Sequence, residues 1–565
     1  MIYEEVVTPP PVIGQIVAPG THSISHRRTL GAFYTPMAVS RALAKWGIRS
    51  SEDAVLEPCF GGCTFLEAAV ERLGSFGHSR PTTNLFGCDV DPLAFEYLKA
   101  RVPTDGLISN FFQQDFMSFH FQQIGRSDKV DLVIGNPPYI GHGKFTPAQR
   151  GVLAAWRERY GVSMDLRASL WAYFVIHALH FLRPGGRIAW VLPGSFLHAK
   201  YAVPIRESLR SSFRDITAVT VAERLFVSEG TEETTVVLLA DGYRRPPATN
   251  YIATTCVDSV DDFVALMNDS STAFARPVQI YPGHGMVPDD ACASHEKMAQ
   301  ADSIVNLGDI AALQIGLVSG DSRFFIKSKS EWAKEQIESR HLQYILPQSK
   351  WVPGAKLNAA DVKEQIGNNV RCLALACPPV PRARFLVRYL NTYGNERIKA
   401  NATFGKRTHW YRFIDDKTPD GFLVFMASIG PRIILNFTSS NATNAVYRMY
   451  FKSNVSATMR KLAAISIHST FSQLSAEIVG HARGSGALKL EPSSAHKIQI
   501  AMPKDLSDTA IEDAFGAIDK ALRNRSWENA RKIADDLLFK GEGFSSDMLL
   551  LAAGLATVRN RRMRK

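Results

Sequence analysis

The spacing of apolar residues changes character along the chain and divides it before any motif is considered. From residue 37 to about 240, short apolar runs alternate with segments whose apolar residues recur every three or four positions. Residues 39–46 and 64–73 have helical spacing, and in the second Phe65, Leu66, Ala69, Val70 and Leu73 share one face. Residues 54–56, 85–88 and 129–134 are apolar runs of strand type, and residues 92–100 predict a helix with Pro92 in its first turn. Residues 170–182 read as a buried helix stopped by Pro184-Gly185-Gly186. Strands are predicted at 187–192, 216–221 and 234–240. Such alternation implies an α/β domain, a mostly parallel sheet with helices on both faces. The pattern breaks at 241–250, where a glycine and two prolines mark an expected domain boundary. An acid-rich, weakly patterned stretch follows. From about residue 305 the elements are less regular, as in an α+β domain, and residues 506–551 read as helices. The basic tail at 559–565 is expected to be an untethered solubilising end.

Composition narrows this picture. A chain of 565 residues with 45% hydrophobic and 21% charged positions suits two to four globular domains and excludes extended disorder or coiled coil for the whole. The apolar run at 170–182 is interrupted by His177 and His180 and is too short to span a bilayer. The N-terminus lacks the basic start and apolar stretch of a signal peptide. Seven irregularly spaced cysteines, with no C-x-x-C pair, argue against a disulfide framework or a structural zinc site; a reducing, cytoplasmic setting and no metal are expected. The formal charge of +11 is concentrated: residues 351–500 carry 20 basic and 8 acidic side chains, whereas residues 1–350 carry 33 and 36. That stretch suits a polyanionic partner, the alternative being a solvated surface that happens to be basic.

Two stretches carry candidate chemistry. Residues 55–65, VLEPCFGGCTF, run from strand through an acidic residue and a glycine turn into a helix, where backbone N–H groups can approach a ligand. Asp89 lies 27 residues past Gly62, placed to accept from ribose hydroxyls, and Asp115 follows the next predicted strand. Asp91, before Pro92, reads instead as a helix cap. The second stretch is Asn136-Pro137-Pro138-Tyr139 at the end of the strand at 129–134. Two prolines hold the backbone extended and remove its donors. The carbonyls and the Asn amide oxygen then form an acceptor set beside the flat ring of Tyr139. Such a set suits a planar group bearing an exocyclic NH₂, whose lone pair is released when both hydrogens are accepted; the bland reading is a rigid loop with an exposed Tyr.

With GAFYTP (residues 31–36), FGCDVDP (86–92), QQDF (113–116), IGNPPYI (134–140) and LRPGGRIAWVLP (182–193), the chain resembles the gamma-class N6-adenine DNA methyltransferases of restriction–modification systems. The match is weaker downstream, at Leu307-Gly308-Asp309-Ile310, residues 316–320, Trp410-Tyr411 and residues 484–492. The resemblance implies a Rossmann-like class I methyltransferase sheet with a C-terminal α+β target-recognition domain. The chain then divides into an extension (1–21), a catalytic domain (22–242), a connecting segment (243–304), a target-recognition domain (305–505) and a C-terminal helical segment with the basic tail (506–565).

The resemblance further implies S-adenosylmethionine as cofactor. Thr35, Pro36, Glu57, Pro58, Gly61 and Gly62 would surround its methionine part, Asp89 its ribose, and Asp115 with Phe116 its adenine. Asn136 and the Pro137 carbonyl would accept from adenine N6, with Tyr139 stacked on the base. Tyr201, or failing it Phe196, would cover the base's other face. Where the family usually has a second glycine this chain has Cys63, which leaves two outcomes open: a side chain small enough to fit, or one that crowds the methionine moiety and weakens binding. The target is double-stranded DNA, with a separate restriction endonuclease for the same site as partner, and the protein is expected to be a monomer. Arg384, Arg388, Lys406, Arg407, Trp410, Tyr411, Arg412, Arg432 and Arg448 are the DNA-binding candidates. Because NPPY also occurs in methyltransferases of RNA and of protein glutamine amides, those substrates are the alternative. The 33 residues before Tyr34 are too few for an N-terminal nuclease domain, so none is expected there.

Overall fold

In the computed structural model the alternating pattern becomes an eight-stranded sheet. The structure describes residues 33–103, 108–226, 234–246, 251–269, 286–483, 486–540 and 543–563. The 1–21 extension, the first two residues of GAFYTP and the last two of the basic tail lie outside them. The chain forms two units, Met1–Ile280 and Tyr281–Lys565.

In the first unit the helices are α1 (Met37–Gly47), α2 (Thr64–Ser75), α3 (Pro92–Arg101), α4 (Pro147–Tyr160), α5 (Leu170–Ala178), α6 (Val203–Ser212) and α7 (Val260–Asn268). The strands are β1 (Val55–Glu57), β2 (Leu85–Asp89), β3 (Phe111–Gln113), β4 (Val130–Gly135), β5 (Leu182–Pro193), β6 (Phe213–Val221), β7 (Thr235–Tyr243) and β8 (Ala253–Val257). Their order is β3-β2-β1-β4-β5-β7-β6-β8. Only β7 runs against its neighbours β5 and β6. Because β1 lies between β2 and β4, the strand order reverses there, and the carboxyl ends of β1, β2 and β4 open on a crevice of the kind that holds ligands in such sheets. Residues of α1, α2 and α7 pack one face of the sheet. Residues of α4, α5 and α6 pack the other around Trp171 and Trp190, both wholly buried. At about 1.5–3 kcal/mol for each large apolar side chain removed from water, these two layers supply the domain's cohesion.

Two expectations change here. The helix expected over 170–182 ends at Ala178, and β5 begins at Leu182, before Pro184-Gly185-Gly186. Leu182 pairs with Val130, and the register then shifts before Arg187 meets Leu132, so the proline and glycines form an irregularity inside a strand. The break at 241–250 is a connection within the domain and not its end. Beyond it β8 adds in parallel to β6, and α7 buries Phe263 in the same core as α1. Thus residues 253–268, assigned by sequence to a connecting segment, belong to the catalytic sheet.

The second unit has a five-stranded sheet in the order Ala311–Ile315, Tyr447–Phe451, Gly421–Val424, Arg432–Asn436, Lys356–Leu357. A smaller mixed sheet is ordered Ile326–Lys327, Leu373–Leu375, Leu342–Leu346, Asn441–Ala442. Its helices include α8 (Asp289–Met298), α9 (Arg384–Asn391), α10 (Asn395–Ala400), α11 (Thr470–Val479), α12 (Asp508–Arg523), α13 (Trp527–Phe539) and α14 (Ser545–Met563). Ser507 caps α12 through its hydroxyl, and Ile511, Phe515, Ile518 and Leu522 form its buried stripe. Helix α14 corrects the reading of the basic tail. Its Arg562 and Glu477 of α11 are each 1% exposed and form a bidentate pair at 3.0 and 2.8 Å. Arg562 also donates to the carbonyls of Gly486 and Ser428, Arg561 to Met286, and Arg559 to the side chain of Gln473. These arginines are built into the core; a count of charges could not see the buried glutamate that holds them.

Candidate active site

The crevice beside β1 is lined by Phe33, Tyr34, Thr35, Glu57, Pro58, Gly61, Gly62, Asp89, Asp115, Phe116, Asn136 and Pro138, among others. These come from chain stretches up to 105 residues apart. Most of the residues nominated for the cofactor therefore do converge; Pro36 stands behind Thr35 as the residue preceding α1.

Local chemistry fixes each one. Gly61 adopts φ +39, and a side-chain carbon at Gly62 would meet the Tyr34 ring at 3.0 Å, so the turn must be glycine for that ring to lie over it. Asp89 accepts from the Gly61 amide at 2.9 Å and the Asp91 amide at 2.9 Å, which ties the end of β2 to the glycine turn. Its burial outweighs these bonds and pushes its pKa up to about 6. Glu57 is 2% exposed, its Oε2 meets no partner among the described residues, and burial, reinforced by Asp89, raises its pKa well above the ordinary range. Asp115 is held by the Met117 amide at 2.9 Å, and burial raises it as well. Asp91 caps α3 through the Leu93 amide, as expected. Among the described residues, four carboxylates thus line the crevice and no Lys or Arg does.

At the end of β4 the side-chain nitrogen of Asn136 donates to the Phe33 carbonyl at 3.0 Å and to Thr35 Oγ1 at 3.2 Å. Its Oδ1 is buried and meets no partner among the described residues. Cys59 donates through Sγ to the Asn136 carbonyl at 3.2 Å. Tyr139 is half-buried, donates to the Val191 carbonyl at 3.1 Å and packs on Phe33 with centroids 5.3 Å apart. It stands next to the crevice without lining it, as does the buried Pro137.

Sequence missed several members of the lining. Phe33, Cys59, Gln149, Ile140, Leu170 and Phe174 all face the crevice. Leu170 and Phe174 are four apart on α5, a spacing visible in the sequence but ambiguous in a helix that is apolar all round. Gln149 closes a capping box with Thr146 at the start of α4. For Cys63 the sequence left open whether it fits or crowds the pocket. It takes the left-handed backbone at φ 63, which explains a glycine preference, yet its side chain is wholly buried in the core and does not line the crevice. Phe196 is 0% exposed against Trp171 and has no face to offer a base. Tyr201 is half-buried against Trp171, with its hydroxyl 3.4 Å from Ser195 Oγ, and is likewise outside the lining.

Two family profiles match successive parts of the chain: "N-6 DNA Methylase" over residues 22–253, and "Type II methyltransferase M.Eco57I, C-terminal domain" over residues 284–539. The chain belongs to the N6-adenine DNA methyltransferases of restriction–modification type. This methyltransferase is 22% identical to Type II methyltransferase M.AccI of Acinetobacter calcoaceticus over 430 residues, covering 75% of this chain and 76% of that protein. It is 27% identical to M.PaeR7I of Pseudomonas aeruginosa over 188 residues, 29% of this chain and 30% of the relative. Among solved structures, the Type IIL restriction-modification enzyme MmeI in complex with DNA shares the fold with a TM-score of 0.55 at 15% identity, covering 90% of this chain and 73% of that one. No helix of the described residues is long and apolar enough to cross a membrane.

The basic residues nominated in the methyltransferase's second unit divide sharply. Arg432 is 6% exposed and donates to the carbonyls of Ser349, Pro353 and Gly354; burial pushes its pKa down to about 10. Arg448 is 6% exposed and bidentate to Asp415 at 2.8 Å. Arg407 clips the Ser319, Trp410 and Val318 carbonyls. Trp410 belongs to an aromatic core with Phe324, Phe325, Tyr393 and Phe404. Tyr411 donates to the Pro379 carbonyl. These five are engaged in holding the fold. Arg384, Arg388, Lys406 and Arg412 are exposed, and Arg382, Arg397 and Lys399 extend the same chain segment with exposed cations.

Proposed function

We propose that this protein transfers a methyl group from S-adenosylmethionine to N6 of an adenine turned out of double-stranded DNA. One observation carries the cofactor reading: a partly apolar crevice lined, among the described residues, by four carboxylates and by no basic side chain. Such a lining repels phosphorylated nucleotides and suits a nucleoside that carries positive charge and hydroxyl donors. The unpartnered Glu57 Oε2 fits a cationic amine, because a nearby positive charge would restore the ionisation that burial opposes. When bound, S-adenosylmethionine supplies an electrophilic methyl on a sulfonium centre. Glu57, Thr35 and the glycine turn would hold its methionine part, Asp89 the ribose hydroxyls, and Asp115 with Phe116 the adenine.

The chain's own residues prepare the nucleophile. Inside a duplex the target amine is out of reach, so the base must leave the stack at a cost of a few kcal/mol. Asn136 Oδ1 and the Pro137 carbonyl then accept its two hydrogens, which withdraws the nitrogen lone pair from the ring and frees it to attack. Tyr139, braced by Phe33 and by the Val191 carbonyl, offers the adjacent ring face. The exposed cations Arg384, Arg388, Lys406 and Arg412, with Arg382, Arg397 and Lys399, would contact phosphates and fix register. That basic surface and the second profile support DNA over RNA or a glutamine amide. A restriction endonuclease for the same site is a further expected partner, on a separate chain. The test is methylation of unmodified genomic DNA by the purified protein, followed by modification-sensitive sequencing. N6-methyladenine within one recurring sequence is expected; transfer to RNA or protein without transfer to DNA would overturn the reading.

A further inference from the structure

Thr35 was expected only to touch the cofactor, and its position suggests a second duty. The Asn136 amide nitrogen has two hydrogens and uses both, one on the Phe33 carbonyl at 3.0 Å and one on Thr35 Oγ1 at 3.2 Å. The Phe33 carbonyl can only accept, so the nitrogen must face it and the oxygen must face the opposite way. That oxygen is buried at the crevice without a partner among the described residues. A carboxamide rotates by half a turn at little intrinsic cost, and the flipped amide would present a donor to the incoming amine, which also donates. The Phe33 carbonyl, which can only accept, makes the flipped form unfavourable, and the Thr35 hydroxyl, by accepting the second hydrogen, holds the amide plane at the angle that aims Oδ1 into the crevice.

We propose that Thr35 is a positioning residue for methyl transfer: its hydroxyl, with the Phe33 carbonyl, locks the Asn136 carboxamide so that Oδ1 is the acceptor presented to the target amine. The arrangement also accounts for Thr35 being only 4% exposed, deeper than a residue needs to be merely to touch a ligand. Cys59 secures the same residue from the main-chain side. This inference rests on the proposed transfer to adenine N6, and the experiment separates the two.

Thr35→Val keeps the shape and removes the acceptor; Thr35→Ser keeps the acceptor. Single-turnover rates at saturating S-adenosylmethionine are measured on a DNA duplex carrying the methylation site, together with the affinity for S-adenosylhomocysteine by calorimetry. Thr35→Val is expected to slow the saturated rate about tenfold or more, as displaced reacting groups do, while the calorimetric Kd, to which Thr35 also contributes as a lining residue, rises by a clearly smaller factor. Thr35→Ser is expected to recover most of the rate. Thr35→Ala, which adds no methyl against the amide, carries the same expectation should the valine not be accommodated. An unchanged saturated rate, a loss confined to the Kd, or a serine variant no faster than valine would each overturn the proposal. Absence of transfer to DNA by the wild-type protein would overturn the underlying function instead.

Discussion

Two buried polar clusters in this chain follow opposite rules. Around the crevice, Glu57 Oε2 and Asn136 Oδ1 are out of water and without partners among the described residues. At the end of the chain, Glu477 and Arg562 are equally buried but bonded: to each other, Arg562 also to the Gly486 and Ser428 carbonyls, and Glu477 also in an ion pair with Arg559 at 3.6 Å. Leaving an acceptor unpaired costs about 1–3 kcal/mol, so one that belongs to the lining of a crevice marks a place where a ligand can complete the bonding. A closed network marks a place where the fold completes it. The same distinction sorts the arginines of the second unit, where Arg407, Arg432 and Arg448 are spent on carbonyls and a carboxylate while Arg384, Arg388 and Arg412 face solvent.

The sharpest break of this contrast is a substitution in each cluster. Asn136→Ala removes an acceptor whose partner is the reacting group, and methyl transfer should fall by about 10²-fold or more, as removal of a charge-stabilising contact does. Its unfolding free energy should move by about 1 kcal/mol or less, since the lost contacts are two neutral hydrogen bonds. Urea unfolding and single-turnover kinetics on the same preparation decide it; a destabilised protein with normal transfer would reverse the assignment. Arg562→Met should show the opposite profile, losing up to about 3–5 kcal/mol because Glu477 loses its bidentate partner and keeps only the longer ion pair with Arg559 at 3.6 Å. Its partner test is the double variant Arg562→Met with Glu477→Leu. Recovery of most of that stability would confirm that the cost lies in the orphaned carboxylate.

The surface cations give a smaller and different signature. Each phosphate contact contributes about 0.9 to the slope of log affinity against log salt for duplex DNA. Replacing Arg384, Arg388, Lys406 or Arg412 singly by Ala should lower that slope by up to this amount without changing the unfolding midpoint. Arg432→Ala and Arg448→Ala should lower stability, because the first leaves the buried Gly354 carbonyl and the second the buried Asn441 Oδ1 without a donor. Parallel salt slopes for all six variants would show that exposure is a poor guide to DNA contact here.

Protons should sharpen the comparison further. Asp89 has a pKa of about 6 in the ligand-free protein, raised by burial. A carboxyl raised on folding contributes stability that is present below its ordinary range and lost as pH climbs through about 6. Ribose hydroxyls donate to the ionised form, so affinity for S-adenosylhomocysteine should weaken as pH drops below about 6, toward tenfold per pH unit. Calorimetry from pH 5 to 8 in two buffers of different ionisation enthalpy would reveal the coupled proton, and Asp89→Asn should flatten the profile. A flat profile in the wild type would mean that Asp89 does not take up the hydroxyls.

How much of this was legible beforehand follows the same divide. The sheet could be read because its strands are apolar runs and its helices have stripes, both local signals. The glycine turn, Asp89, Asp115 and Asn136 could be read because they sit at strand ends, where this type of sheet places chemistry. What could not be read depends on partners distant in sequence. Arg562 looked like part of a solubilising tail because Glu477 is 85 residues away. Arg432 and Arg448 looked like phosphate ligands because their acceptors, a set of backbone carbonyls and Asp415, lie in other loops. Phe196 and Tyr201 were chosen for their place after β5, but Trp171 of α5 takes both.

Cys63 offers the finest test, because the sequence leaves its consequence open and the structure does not. A cysteine in place of a glycine beside a cofactor loop reads either as a side chain small enough to fit or as an obstruction. In the structure its backbone has the left-handed φ of 63 that favours glycine, while its thiol is buried between the Gly61 and Ala94 carbonyls, away from the crevice. Cys63→Gly relieves about 1–2 kcal/mol of left-handed strain. Against this it loses about 1 kcal/mol of burial and adds about 0.5–1 kcal/mol of unfolded-state freedom. These terms nearly cancel, so the unfolding free energy should shift by less than about 1 kcal/mol, and the Kd for S-adenosylhomocysteine should stay within about twofold, the scale of a side chain that makes no ligand contact. A several-fold tightening of that Kd would place the thiol against the ligand after all, and would make Cys63 an open group of the crevice and not a closed group of the core.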